Sequence, residues 1–122
     1  MKLDDSREDL YNALSVAASS QGKVDEAVAL LRKAVAKGIA GEMTYMNLGN
    51  LQARQKNFRQ AILTFDAANK KSPGNPKILF ALGMCHLNIG NLPQGKALFE
   101  QVLKMDPGNE DARQVLKQLT KP

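Results

Sequence analysis

Tryptophan is absent from these 122 residues, cysteine and histidine occur once each (Cys85 and His86), and aromatic residues make up only 5%. One cysteine forms no internal disulfide and builds no cysteine-based zinc cluster. One histidine, with no acid, base or nucleophile converging on it in any recognisable spacing, gives no catalytic constellation. No stretch approaches the ~20 apolar residues of a membrane span. Met1-Lys2-Leu3-Asp4-Asp5 is not followed by the apolar run of a secretory leader, so a cytoplasmic location is expected. Scarce aromatics also leave few platforms on which nucleic-acid bases could stack.

What is present is ordinary for a soluble single domain: 43% hydrophobic and 24% charged residues. A chain of this length withdraws roughly two-thirds of its unfolded surface from water, enough for a core without staples. Net charge is +5, unevenly spread. Between residues 52 and 77, Arg54, Lys56, Arg59, Lys70, Lys71 and Lys77 face Asp66 alone, whereas Asp4, Asp5, Glu8 and Asp9 dominate the start. Such a basic stretch draws acidic partners or nucleic acid by long-range attraction and says nothing about fold.

An internal repeat decides the architecture. Residues 42–75 laid over 76–109 pair Leu48 with Leu82, Gly49 with Gly83, Asn57 with Asn91, Phe65 with Phe99 and Lys70 with Lys104, a period of 34 residues. Ser72-Pro73-Gly74-Asn75 likewise overlies Asp106-Pro107-Gly108-Asn109. A third copy at 8–41 places Tyr11, Leu14, Ala27 and Ala34 under Tyr45, Leu48, Ala61 and Ala68.

Each copy reads as two helices. Repeat positions 4, 7, 8 and 11, which are Tyr45, Leu48, Gly49 and Gln52 in the second copy, share one helix face and are expected to meet the second helix. That helix carries Phe58, Ala61, Ile62, Phe65 and Ala68 at spacings of three and four after Asn57, a good N-cap residue. Pro73 stops the pair, and Gly38 is expected to end the corresponding helix early in the first copy. Ser6 with Asp9 is read as a cap for a first helix beginning near Arg7. Gly95 stands where the other copies have alanine, costing about 1 kcal/mol of helix propensity unless a close contact needs the space. In the tail, Ala112, Val115, Leu116 and Leu119 fall on one side of a short helix with polar residues elsewhere. It reads as a solvating cap completing seven helices, although the same pattern suits the first helix of a further repeat.

These spacings resemble the tetratricopeptide repeat across about 102 of the 122 residues, most closely in Tyr45-Met46-Asn47-Leu48-Gly49-Asn50, Phe58, Ala61, Phe65, Ala68 and Pro73-Gly74-Asn75. The resemblance implies an all-α fold in one domain over 1–122: a right-handed superhelical solenoid of three helix-turn-helix repeats (8–41, 42–75, 76–109) and a capping helix over 110–120. It also implies that the first helix of each pair lines a concave groove binding a peptide or protein segment, without catalysis, cofactor or metal.

If positions 4, 7, 8 and 11 face inward, positions 2, 5, 9, 12 and 13 point away and become groove candidates. They are Asp9, Asn12, Val16, Ser19 and Ser20; Met43, Met46, Asn50, Ala53 and Arg54; and Lys77, Phe80, Met84, Leu87 and Asn88. Methionines suit variable apolar ligands, and amides bond an extended backbone regardless of its sequence. The competing reading makes Met46, Phe80 and Leu87 packing between repeats. Chaperone-binding members of the family hold a C-terminal carboxylate with two lysines, two asparagines and an arginine, where this chain has Asn12, Val16, Asn47, Lys77 and Ala81. Only Asn47 and Lys77 match, so carboxylate clamping is not expected, and an apolar groove fits better, resembling small bacterial chaperones of secreted proteins and assembly scaffolds.

Two other readings remain. The basic stretch permits binding of nucleic acid, although Lys70 and Lys71 near a helix C-terminus are also expected on dipole grounds. Self-association is the other, because the first repeat has only seven residues before it to cover its outer side. His86 and Cys85 are read as packed side chains.

Overall fold

The computed structural model describes residues 7–121. Seven helices follow one another: α1 (Glu8–Ser20), α2 (Val24–Ala36), α3 (Glu42–Arg54), α4 (Phe58–Lys71), α5 (Pro76–Asn88), α6 (Leu92–Met105) and α7 (Glu110–Leu119). No strand occurs among the described residues. The first helices begin at 8, 42, 76 and 110 and the second helices at 24, 58 and 92, so both series keep the 34-residue step. Each helix packs chiefly on its neighbours in sequence, with α3 also touching α1 and α5, which makes the fold an all-α helical repeat.

The turns within pairs share one mechanism. Gly22 (φ 79°), Lys56 (φ 62°) and Gly90 (φ 83°) each adopt the left-handed conformation just past a first helix. The next amide then reaches back into the last turn: Lys23 N to Ala18 O, Asn57 N to Gln52 O and Asn91 N to His86 O, all 2.8–2.9 Å. This is the Schellman closure of a helix end. Asn57 therefore occupies the N-cap position of α4 with its amide committed to α3, and its side chain makes no capping bond, contrary to the expectation from sequence. Asn75 and Asn109 do cap: their Oδ1 atoms accept from Lys77 N and Ala112 N, each at 2.9 Å. Arg7 takes the N-cap position of α1 without a side-chain cap, its guanidinium holding the Asp9 carboxylate at 2.8 and 3.0 Å. Ser6 lies outside the described residues. Gly38 (φ 74°) follows the end of α2, as expected.

Within the second and third pairs a glycine admits an aromatic ring, Gly49 under Phe65 and Gly83 under Phe99. A Cβ on Gly83 would stand 2.9 Å from the ring of Phe99, and Gly95 has Leu87 Cδ2 where its own Cβ would lie at 2.6 Å. The close contact that excuses Gly95 is therefore present.

Position 7 meets the preceding pair as well as the second helix of its own pair. Leu48 is buried in a cluster with Ala18, Ala27, Val28 and Leu31, all from the preceding pair. Leu14, at position 7 of the first copy, meets no described helix pair on that side and is 45% exposed. The larger cluster joins Ala61, Phe65 and Ala68 of α4 to Ile78, Leu82 and Cys85 of α5, and ends on Ala112 of α7 with Val115, Leu116 and Leu119 against it. α7 thus packs on the last pair through its apolar side.

Repeat position 1 supplies polar links that sequence reading did not single out. Glu8 Oε1 accepts from Gly41 N at 2.9 Å and from Thr44 Oγ1 at 2.8 Å. One period later Glu42 accepts from Ser72 Oγ and Asn75 Nδ2, both at 2.6 Å. Each carboxylate ties the start of one pair to the start of the next. The hydrogen bond from Thr44 holds the Glu8 carboxyl below the usual glutamate range, with the Gly41 amide adding to it against a smaller opposing effect of burial.

Candidate functional site

α1, α3 and α5 present two cavities in succession. The first, about 460 Å³, lies between α1 and α3 and is lined by Ser15, Val16, Ser19, Ser20, Asn47, Asn50, Leu51 and Arg54. The second, about 410 Å³, lies between α3 and α5 and includes Met46, Asn50, Ala53, Lys77, Phe80, Ala81, Met84 and Asn88, with Phe58 and Phe65 of α4 contributing to it. Asn50 belongs to both walls and joins them into one path.

The chemistry changes along that path. The first cavity offers hydroxyls and amides, and Arg54 Nη1 donates to Ser19 Oγ at 2.8 Å across it. The second offers thioethers and aromatic rings. Phe80 is fixed by an edge-to-face contact with Phe99, ring centroids 5.1 Å apart, so it is a rigid wall supported from the core. Met84 is 38% exposed beside it, and Asn88 Nδ2 donates to the Met84 carbonyl at 2.8 Å. Neither lining contains a carboxylate, and Arg54 and Lys77 are its only charges.

Eleven of the fifteen residues expected to point into a groove line these cavities, namely Val16, Ser19, Ser20, Met46, Asn50, Ala53, Arg54, Lys77, Phe80, Met84 and Asn88, and Asn47 lines the first with them. Four do not. Asp9 is held by the Arg7 guanidinium. Asn12 is drawn toward α3, its Oδ1 accepting from Thr44 Oγ1 at 3.0 Å. Met43 is 65% exposed outside both cavities. Leu87 lies over Gly95, within its own pair, because the missing Cβ leaves room for it there. Met46 and Phe80 combine the two readings set out from sequence, since each packs on the core and still lines the second cavity.

Nothing resembling a catalytic set accompanies the cavities. Cys85 touches the second cavity with 2% of its surface exposed, and burial pushes its thiol up, away from the reactive thiolate. His86 stands with Nδ1 3.5 Å from Asn91 Nδ2 at the turn of its own pair. No group of three or more metal-ligating His, Cys, Asp or Glu side chains occurs among the described residues. No helix among them is long and apolar enough to cross a membrane.

Comparison with known proteins decides the family. Family models described as tetratricopeptide repeat match residues 12–76 and 52–119, each more than half of the chain. The chain belongs to the tetratricopeptide-repeat family. Solved structures agree on the fold of this tetratricopeptide-repeat chain. The first such domain of Spaghetti (RPAP3), bound to the HSP90 peptide SRMEEVD, has a TM-score of 0.87 at 21% identity, covering 97% of this chain and 94% of that one. The second such domain of human RPAP3, in complex with the HSP70 peptide SGPTIEEVD, has a TM-score of 0.83 at 20% identity, covering 92% and 93%. A U-box domain-containing protein 70 from Oryza sativa subsp. japonica is 30% identical over 59 residues, which is 48% of this chain. The match spans 7% of that protein's length. Members of this family are generally protein-interaction modules that act without catalysis.

Proposed function

We propose that the path through the two cavities binds a peptide or protein segment, with an apolar side chain anchored in the second cavity and backbone amides met by Asn47 and Asn50. The observation that carries this reading is the second cavity itself. Met46, Phe80 and Met84 leave apolar surface open to solvent between two helix pairs, and half-buried thioethers adapt to ligand shape at little cost. Arg54 and Lys77 bias the path toward segments without basic residues near the anchor. The carboxylate clamp is not part of this reading, because Val16 and Ala81 stand in the cavities where that arrangement needs an amide and a guanidinium. Chaperone-like or scaffolding roles follow from such a groove, and in both the chain holds a partner without altering it.

The test is selection from a random peptide library, followed by fluorescence anisotropy with the enriched peptides on wild type and Met84→Glu. A carboxylate facing an apolar anchor is expected to weaken binding roughly tenfold or more. Circular dichroism should be unchanged. Peptides that bind both proteins equally, and lose affinity steeply with salt, would move the working face to the basic surface and overturn the groove.

A further inference from the structure

A third cavity, about 380 Å³, lies between α2 and α4. Tyr45, Leu48 and Gln52 of α3 line it, and at ~100° per residue they point roughly opposite to Met46, Asn50 and Arg54. This cavity and the peptide path therefore lie on different sides of α3.

Gln52 sets it apart. The residue is 2% exposed, and its Oε1 accepts from Thr64 Oγ1 at 2.6 Å. Its Nε2 donates to nothing among the described residues. No buried side-chain nitrogen or oxygen among them lacks a partner, so this nitrogen is not sealed among packed atoms and opens on the cavity. Burying an amide with its donors unused costs free energy that an acceptor on a ligand would recover. Arg32 reaches the same cavity from α2 as an exposed side chain, and its guanidinium has no partner among the described residues. It is the only charged residue in the lining, to which Gln60 adds a second free side-chain amide.

These donors define the charge of an occupant, and the walls define its body. One guanidinium balances one negative charge, and together with Gln52 Nε2 it offers N–H groups to both oxygens of a planar carboxylate. A phosphate dianion would keep one charge unbalanced. The remaining walls are apolar: Val35, Leu48, Ala67 and Leu63, the last 65% exposed. Gln52 and Tyr45 stand two turns apart on α3, about 10 Å, which matches an extended chain of about eight carbons.

We infer that this cavity binds a small monocarboxylic acid with an apolar body of about six to eight carbons. Arg32 and Gln52 hold the carboxylate, and the body lies along Leu63 toward the Tyr45 ring. The site is separate from the peptide path, and neither needs the other.

Octanoate is the probe, titrated into the isotope-labelled whole chain and followed by NMR, with octanamide and inorganic phosphate in parallel. Octanoate is expected to shift the Gln52 side-chain amide and the backbone amides around Leu63, saturating with a Kd of about 0.1–1 mM, and to leave those around Met84 in place. Octanamide keeps the body and loses the charge, so it should bind about tenfold more weakly or worse. Phosphate should not move the same signals. Arg32→Gln changes an exposed side chain, should fold as wild type by circular dichroism, and should reduce octanoate to the level of octanamide. Gln52→Met removes the buried donor and should also weaken octanoate, but Arg32→Gln carries the decision because the fold does not depend on it. Equal binding of octanoate and octanamide overturns the inference. So do wild-type affinity in Arg32→Gln, phosphate shifts on the same signals, octanoate shifts centred on Met84, or no saturable shift at concentrations tenfold above the expected Kd.

Discussion

Phe65 occupies the space that a side chain on Gly49 would need: a Cβ built there would lie 2.6 Å from Phe65 Cε1 and 2.7 Å from its Cζ. The ring rests on the backbone of the facing helix, which brings α3 and α4 together more closely than two side-chain-bearing positions permit. Gly49→Ala is expected to destabilise by about 2 kcal/mol through overpacking, and Gly83→Ala under Phe99 by a similar amount. Gly95→Ala meets the flexible tip of Leu87 and gains about 1 kcal/mol of helix propensity, so its net effect should be much smaller. Urea melts of the three variants check the order.

Lys56 is the one non-glycine residue with positive φ among the described residues, at 62°. Gly22 and Gly90 hold the same place in the other pairs without strain. Lys56→Gly should therefore raise stability by about 0.5–1 kcal/mol, read as a higher denaturation midpoint at unchanged slope.

Glu8 sets a pH dependence. Its carboxyl is held below the unfolded value, chiefly by the hydrogen bond from Thr44, so the stabilisation it provides is complete above the ordinary glutamate range and fades as pH falls through it. Glu8→Ala should cost about 1 kcal/mol at neutral pH and flatten the acid limb of a stability–pH profile. An acid limb identical to wild type would show that the link between α1 and α3 contributes nothing.

Thr64 Oγ1 donates to Gln52 Oε1 at 2.6 Å in a buried setting. Thr64→Val keeps the shape and removes the donor from a buried amide, a loss expected at about 1–3 kcal/mol. The same change in a Gln52→Leu background should cost distinctly less, and a double-mutant cycle by thermal melts measures the difference.

Met46 and Met84 separate packing from function. Both line the second cavity, but Met46 also packs on the core cluster, whereas Met84 does not. Met46→Glu should lower the melting temperature by several degrees, and Met84→Glu should leave it nearly unchanged. Thermal melts followed by circular dichroism distinguish them.

The pattern of helix pairs was legible because apolar spacing reports directly on helix faces and because a 34-residue step repeats it three times. The face that became the cavities was legible for the same reason, and Phe80, Met84 and Asn50 stand where the angular argument puts them. Leu87 was misplaced because its destination depends on the absence of a side chain at Gly95, a residue on another helix. The Glu8 and Glu42 links were within reach, since the period lays one glutamate over the other, but a lone charged residue at a helix start is equally explained by the helix dipole.

The sequence by itself determined the helices, their pairing, the breaks at Pro73 and Gly38, and the division of α1, α3 and α5 into faces. These follow from local spacing and backbone chemistry, which act within a few residues. Tertiary structure decided which neighbour stands on each face. Leu14 and Leu48 are the same residue at the same repeat position, yet one is 45% exposed and the other 4%, because α1 and α2 pack over the second and no described helix packs over the first in that way. Periodicity fixes a side chain's angle about its own helix axis; burial depends on what the rest of the array brings to that angle.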